Sequence, residues 1–168
     1  MKKTILVPVG LSEATVQVCK AARDLALALD ARLLIAHALE AEPLVNSYYA
    51  LSAFEVTTFT NDVRRRTAEK MQSLGRWFRR SVPQTKIIVH TGAAAATILR
   101  MARLAHVDYI VLGSHGHTAA YELLAGSVAH AVIRHAPCPV VLVPIAPRPK
   151  RIAAATPAQA RVELAGYR

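Results

Sequence analysis

Two cysteines, Cys19 and Cys138, stand far apart with no C-x-x-C between them. That scarcity excludes a disulfide framework and a cysteine-based zinc module. It suits a reducing compartment, so the expected location is the cytoplasm. Aromatic residues make up only 5% of the chain, with a single tryptophan. The core must therefore be aliphatic, as suits helices packed on a buried parallel sheet. No uncharged apolar run is long enough to cross a bilayer, and no membrane partner is expected. The opening Met1-Lys2-Lys3 and the run Thr4 to Val9 have the outline of a signal peptide. The run is short, however, broken by Pro8 and soon followed by Glu13, and it reads as a first strand. Acids are scarce too, 11 against 21 Lys and Arg, a formal charge of +10. Such a surface attracts anions without saying which kind.

What is present is an alternation of strands and helices. The 168 residues favour one domain with a real core. Ile5 to Val9 is a β-branched apolar run, with Pro8 near its end, where a missing ladder donor is tolerated. Ser12 is the expected N-cap of a first helix, whose apolar positions Val18, Ala21, Ala22, Leu25 and Leu29 recur at helical spacing. Arg32 to Ala38 is the second strand. The polar and aromatic segment Glu40 to Phe54 is long for a loop in such a domain and is the candidate lid. Val56 to Arg80 predicts a long, arginine-rich helix that buries Val63, Met71, Leu74 and Phe78. Lys86 to His90 is the third strand, Ala94 to Ala105 a short helix, and Tyr109 to Leu112 the fourth strand. A helical turn at Tyr121 to Leu124, a helix from Ser127 to His135 and a fifth strand from Val140 to Val143 complete the order. Right-handed crossovers then give a parallel sheet with helices on both faces. Ligands bind such sheets at the carboxyl ends of the strands, where strand order reverses.

The fourth strand runs into Gly113-Ser114-His115-Gly116, and nine residues later Gly126-Ser127 opens a helix. This G-x2-G-x9-G-S spacing lets backbone N–H groups approach an anion, and the helix N-terminus adds unpaired donors and partial positive charge. One glycine would be a mere turn former; three at this spacing favour phosphate. The pattern lacks the lysine of a Walker motif, and no general base stands beside it. Glu122, the nearby acid, reads as solvent-facing. Binding of a phosphate-bearing ligand with at most slow hydrolysis is expected, and no catalytic residue is assigned. His115 and His117 have no Cys, Asp or Glu beside them to make up the three or four ligands zinc needs, so they read as polar neighbours of the phosphates and no metal site is assigned. His37 serves the end of the second strand. His90, His106, His130 and His135 receive no role. Cys19 is expected to be buried and inert, and Cys138 packed.

These features together resemble the universal stress protein family in its nucleotide-binding branch. The likeness rests on Ile5-Leu6-Val7-Pro8-Val9 with Ser12-Glu13, on Asp108 through Gly116, and on Gly126-Ser127-Val128 through Val140. It covers about residues 1–146; residues 147–168 form a basic, proline-containing tail expected to be mobile. The resemblance implies a Rossmann-like three-layer sandwich of the adenine nucleotide alpha hydrolase type, with a five-stranded parallel sheet in order 3-2-1-4-5. It implies ATP or AMP as ligand, with Mg²⁺ as an optional companion, and a homodimer through Val140 to Val143. Gly113, Ser114, His115, Gly116, His117, Gly126, Ser127 and Val128 would surround the phosphates and ribose. The Ala38 backbone would meet adenine, and Pro8, Val9 and Gly10 would line the pocket. One departure stands out: the family usually places an Asp where this chain has Gly10. Losing one such hydrogen bond, about 0.5–1.5 kcal/mol, weakens binding roughly tenfold.

A sensor or regulatory module is the expected function, with an unidentified protein partner. The alternative is an interaction module of the same fold that no longer needs nucleotide. A phosphate-ester hydrolase or transferase comes third. A nucleic-acid binder comes last, because the helix arginines read as a solvated face.

Overall fold

The computed structural model describes residues 2–12, 14–40, 53–114 and 127–145, side chains 53–59 excepted. In chain order the elements are β1 (Thr4–Pro8), α1 (Thr15–Ala28), β2 (Arg32–Leu39), α2 (Ala53–Arg79), β3 (Thr85–Thr91), α3 (Ala94–Leu104), β4 (Tyr109–Gly113), α4 (Ser127–His135) and β5 (Val140–Val143). The expected turn at Tyr121–Leu124, most of the candidate lid, and the basic tail lie outside the described residues.

The five strands form one parallel sheet in order β3-β2-β1-β4-β5, as expected. β1 is central and buried on both faces, which is why it reads as an unbroken apolar run. Its side chains alternate between two cores. Ile5, Val7 and Val9 pack with Leu33, Ile35 and Val111 under α1 and α2. Leu6 packs with Leu34, Ile110 and Leu112 under α3 and α4. Register sets Ile5 opposite both Leu33 and Tyr109, so the central strand is aligned with each neighbour. Pro8 costs little, because the Val9 N–H continues the ladder to the Ala36 carbonyl at 2.8 Å. Asp108 pins the other end: its carboxylate accepts from the Thr4 N–H at 2.7 Å, and its own N–H donates to the Thr4 carbonyl at 2.8 Å.

Two helix starts differ from expectation. α1 begins at Thr15 behind an Ala14 cap that offers no side-chain hydrogen bond, so Ser12 is not its N-cap. Ser12 instead accepts the Thr15 N–H through its backbone carbonyl at 3.0 Å, in a turn that follows Leu11 at φ 56°. α2 begins at Ala53, three residues before the expected Val56. Its packed portion matches expectation: Met71 and Phe78 are buried and Val63 and Leu74 half-buried. Gly75 lets α2 settle on β3, since a Cβ there would lie 2.8 Å from the Ile87 side chain.

Candidate functional site

The strand order reverses between β1 and β4, and there a cleft of about 480 Å³ opens at the carboxyl ends of the strands. Pro8, Val9 and Gly10 supply the end of β1, His37 and Ala38 the end of β2, and Leu112 and Gly113 the end of β4. Ile98 and Met101 close it from α3, giving an apolar floor together with Val9. Three helix starts also reach the cleft: Ala14 and Thr15 at α1, Ala94 at α3, and Ser127 and Val128 at α4. Helix N-termini carry partial positive charge and first-turn N–H groups, although here the Thr15 N–H is taken by the Ser12 carbonyl and the Ala94 N–H by Glu40. No Lys or Arg belongs to the described wall, so attraction for an anion comes from backbone.

Of the residues expected at the site, Pro8, Val9, Gly10, Ala38, Gly113, Ser127 and Val128 meet on this one wall. His115, Gly116, His117 and Gly126 lie outside the described residues. Ser114 is buried next to the cleft but not in its wall. Its hydroxyl oxygen accepts the Ile145 N–H at 3.0 Å and its N–H donates to the Val143 carbonyl at 2.9 Å, which fastens the end of β4 to the end of β5. Gly113 is tight for a packing reason. A Cβ there would meet Val18 at 3.1 Å and Ile145 at 3.2 Å, so its missing side chain lets these residues close in beside the cleft that Gly113 also lines.

Two polar residues complete the rim. The His37 Nδ1–H donates to the Val9 carbonyl at 2.7 Å, tying the ends of β2 and β1 together. Glu40 is the one acid on the described wall, and its carboxylate accepts the Ala94 N–H at 3.4 Å, at the start of α3. Neither Glu40 nor the α3 pair Ile98 and Met101 was singled out from sequence. Glu40 follows directly on β2, and that position at a strand's carboxyl end was the available signal. His90, given no role from sequence, has partners: its Nδ1 faces the Thr91 carbonyl and its Nε2 the Arg100 guanidinium. Cys19 is buried, and desolvation pushes its thiol up to about 12, which fits the inert reading. Cys138 is half-buried and also raised, by burial first and then by the Asp108 carboxylate.

Among the described residues no helix is long and apolar enough to cross a membrane, and no three His, Cys, Asp or Glu converge as a metal site.

Comparison with known proteins agrees with this architecture. The family model described as "Universal stress protein family" matches residues 1–144. A universal stress protein of Thermus aquaticus is 34% identical over 145 residues, covering 85% of this chain and 99% of that protein. The structure of the universal stress protein UspA from Lactobacillus plantarum superposes with a TM-score of 0.70 at 25% identity, covering 84% of this chain and 97% of that one. More distant structures share the fold. One is a universal stress protein in complex with cAMP (TM-score 0.64, 18% identity, 84% and 96% covered). Another is the Archaeoglobus fulgidus protein in complex with dAMP (TM-score 0.57, 16% identity, 85% and 98% covered). The family match over residues 1–144, with the Thermus relative beside it, means that this chain belongs to the universal stress protein family.

Proposed function

We propose that this protein binds an adenine nucleotide in the cleft at the strand ends and acts as a nucleotide-responsive regulator of a protein partner. The observation that carries this is the convergence of three helix N-termini on a cavity with an apolar floor. The floor of Val9, Ile98 and Met101 suits a base, and the N-termini suit a phosphate. Two structures of the same fold hold cAMP and dAMP, both adenine nucleotides with one phosphate. In this reading the backbone of Ala38 meets adenine, and Pro8 and Val9 flank it. Ser127 and Val128, with Gly113, Gly116 and Gly126, hold the phosphate side, near His115 and His117. AMP and ATP are the ligands to test first.

The reading is of a binder with at most slow hydrolysis, because the one acid on the described wall, Glu40, is engaged at the start of α3. Mg²⁺ would arrive on the phosphate oxygens. We place the protein in the cytoplasm as a homodimer paired through β5. That strand is an edge of the sheet, and its Val141 is 38% exposed.

Gly10 favours a second reading, a protein-interaction module of the same fold that has lost its need for nucleotide. One experiment separates the two. The protein is purified without added nucleotide and denatured, and the released small molecules are identified by mass spectrometry. AMP, ADP or ATP near stoichiometry, or a melting temperature raised by AMP or ATP, is the expected result. An empty protein whose melting temperature ignores adenine nucleotides supports the second reading.

A further inference from the structure

A second concavity of about 480 Å³ lies on the other side of α1, between that helix and α2. Its walls are apolar, with Val16 and Cys19 from α1 facing Leu74 and Trp77 from α2. Trp77 is held in place rather than free to fill the gap. It meets buried Phe78 edge-on, ring centroids 4.8 Å apart at 82°, and the Arg23 guanidinium sits over it at 5.4 Å.

One exposed lysine from each helix, Lys20 and Lys70, also belongs to the wall, and among the described residues no carboxylate does. Three acids of the two helices are already matched: Asp24 with Arg23, and Asp62 and Glu69 with Arg65. Lys20 and Lys70 have no ion pair among the described residues. The Cys19 thiol, neutral through ordinary pH, adds no negative charge. One polar group is unaccounted for. Thr15 is 7% exposed and lines this concavity as well as the cleft. Its Oγ1 is buried with no hydrogen-bond partner among the described residues. A buried hydroxyl without a partner is rare, and it points to a missing hydrogen-bonding group.

We propose that the space between α1 and α2 is a second ligand site, for a small carboxylate with an apolar body and a hydroxyl at its far end. The carboxylate sits between Lys20 and Lys70, the body lies against Val16, Leu74 and Trp77, and the hydroxyl pairs with Thr15 Oγ1. Lys20 lies five residues beyond Thr15 on α1, a rise of about 7.5 Å, which separates the two polar contacts by a short apolar span.

Trp77 is the chain's one tryptophan, so its fluorescence reports on this site and not directly on the cleft. The full chain is titrated with ω-hydroxydecanoate below its micelle concentration. A saturable change in emission is expected, with decanoate bound about threefold or more weakly and uncharged decanediol failing to compete. The double variant Lys20→Met and Lys70→Met keeps the apolar stems and is expected to lose about tenfold or more in affinity. Thr15→Val keeps the shape and is expected to erase the preference for the hydroxylated acid while decanoate binds as before. Circular dichroism confirms that each variant is folded. Three results would overturn the site: no saturable change, affinity that survives the double lysine variant, or competitive displacement of the probe by AMP. A preference for the hydroxylated acid that survives Thr15→Val would overturn the role given to Thr15.

Discussion

The two cavities have similar volumes and share Ser12 and Thr15, yet they are made of different material. The cleft at the strand ends is a backbone site: strand termini, helix N-termini, an apolar floor and no cationic side chain in its described wall. The space between α1 and α2 is a side-chain site, with aliphatic and indole walls and two ammonium groups. A backbone site is fixed by topology, and substitutions change it only by filling or charging it. A side-chain site is rewritten by single substitutions. The first is therefore suited to a ligand shared across a fold, and the second to a ligand particular to one chain.

Four substitutions or treatments sharpen that contrast, the largest effect first. Gly113→Val drives a branched side chain toward Val18 and Ile145. A loss of about 1–3 kcal/mol in urea unfolding is expected, as for overpacking elsewhere. Unchanged stability with lost nucleotide binding would mean that the side chain enters the cleft after all. Ser127→Glu puts a negative charge in the first turn of α4, where the helix dipole welcomes it but a phosphate does not. Calorimetry should show AMP binding about tenfold weaker, near 1.4 kcal/mol, with the melting temperature held or raised. Undiminished AMP affinity would remove α4 from the phosphate side.

Gly10→Asp returns a carboxylate to the end of β1. A gain in AMP affinity worth about 0.5–1.5 kcal/mol is expected, with no change in the Trp77 signal at the second site. The two thiols should also part. At pH 8 a disulfide reagent is expected to modify Cys138 while Cys19 waits for unfolding, which peptide mapping would show. Because burial raises the Cys19 thiol above its ordinary 9.0, its contribution to stability is whole below pH 9 and fades as pH climbs toward about 12. Equal labelling of both thiols in the folded protein would show α1 to be less closed than its packing indicates.

Sequence disclosed the elements wherever apolar periodicity and a breaker coincide. Ser127–His135 and Val140–Val143 match their expected bounds because a glycine opens the helix and Ala136-Pro137-Cys138-Pro139 closes it. The start of α1 was misread, because Ser12 has the right chemistry for a cap but sits in a turn shaped by Leu11 at positive φ, a backbone state that sequence does not favour for leucine. The cleft was legible as far as strand ends and glycines mark it. Glu40, Ile98 and Met101 were not, because they come from loop and helix positions that only the crossover brings to the edge. Gly113 was legible as a loop glycine at the end of β4, but the pressure of Val18 and Ile145 on it is a tertiary fact that sequence does not carry. The space between α1 and α2 left no trace in sequence, since Lys20 and Lys70 lie fifty residues apart and look like solvated charges on separate helices.

α2 is longer than the sheet it rests on. Its 27 residues extend about 40 Å, whereas the 7 of β3 reach about 23 Å. Among residues 60–79 of the helix the first to be buried is Thr67. Its described anchor points, Met71, Gly75 and Phe78, gather toward its C-terminal end. Mechanically it is a lever with its fulcrum at the packed end. A wedge between α1 and α2 acts close to that fulcrum, so a small displacement there would be magnified at the far tip.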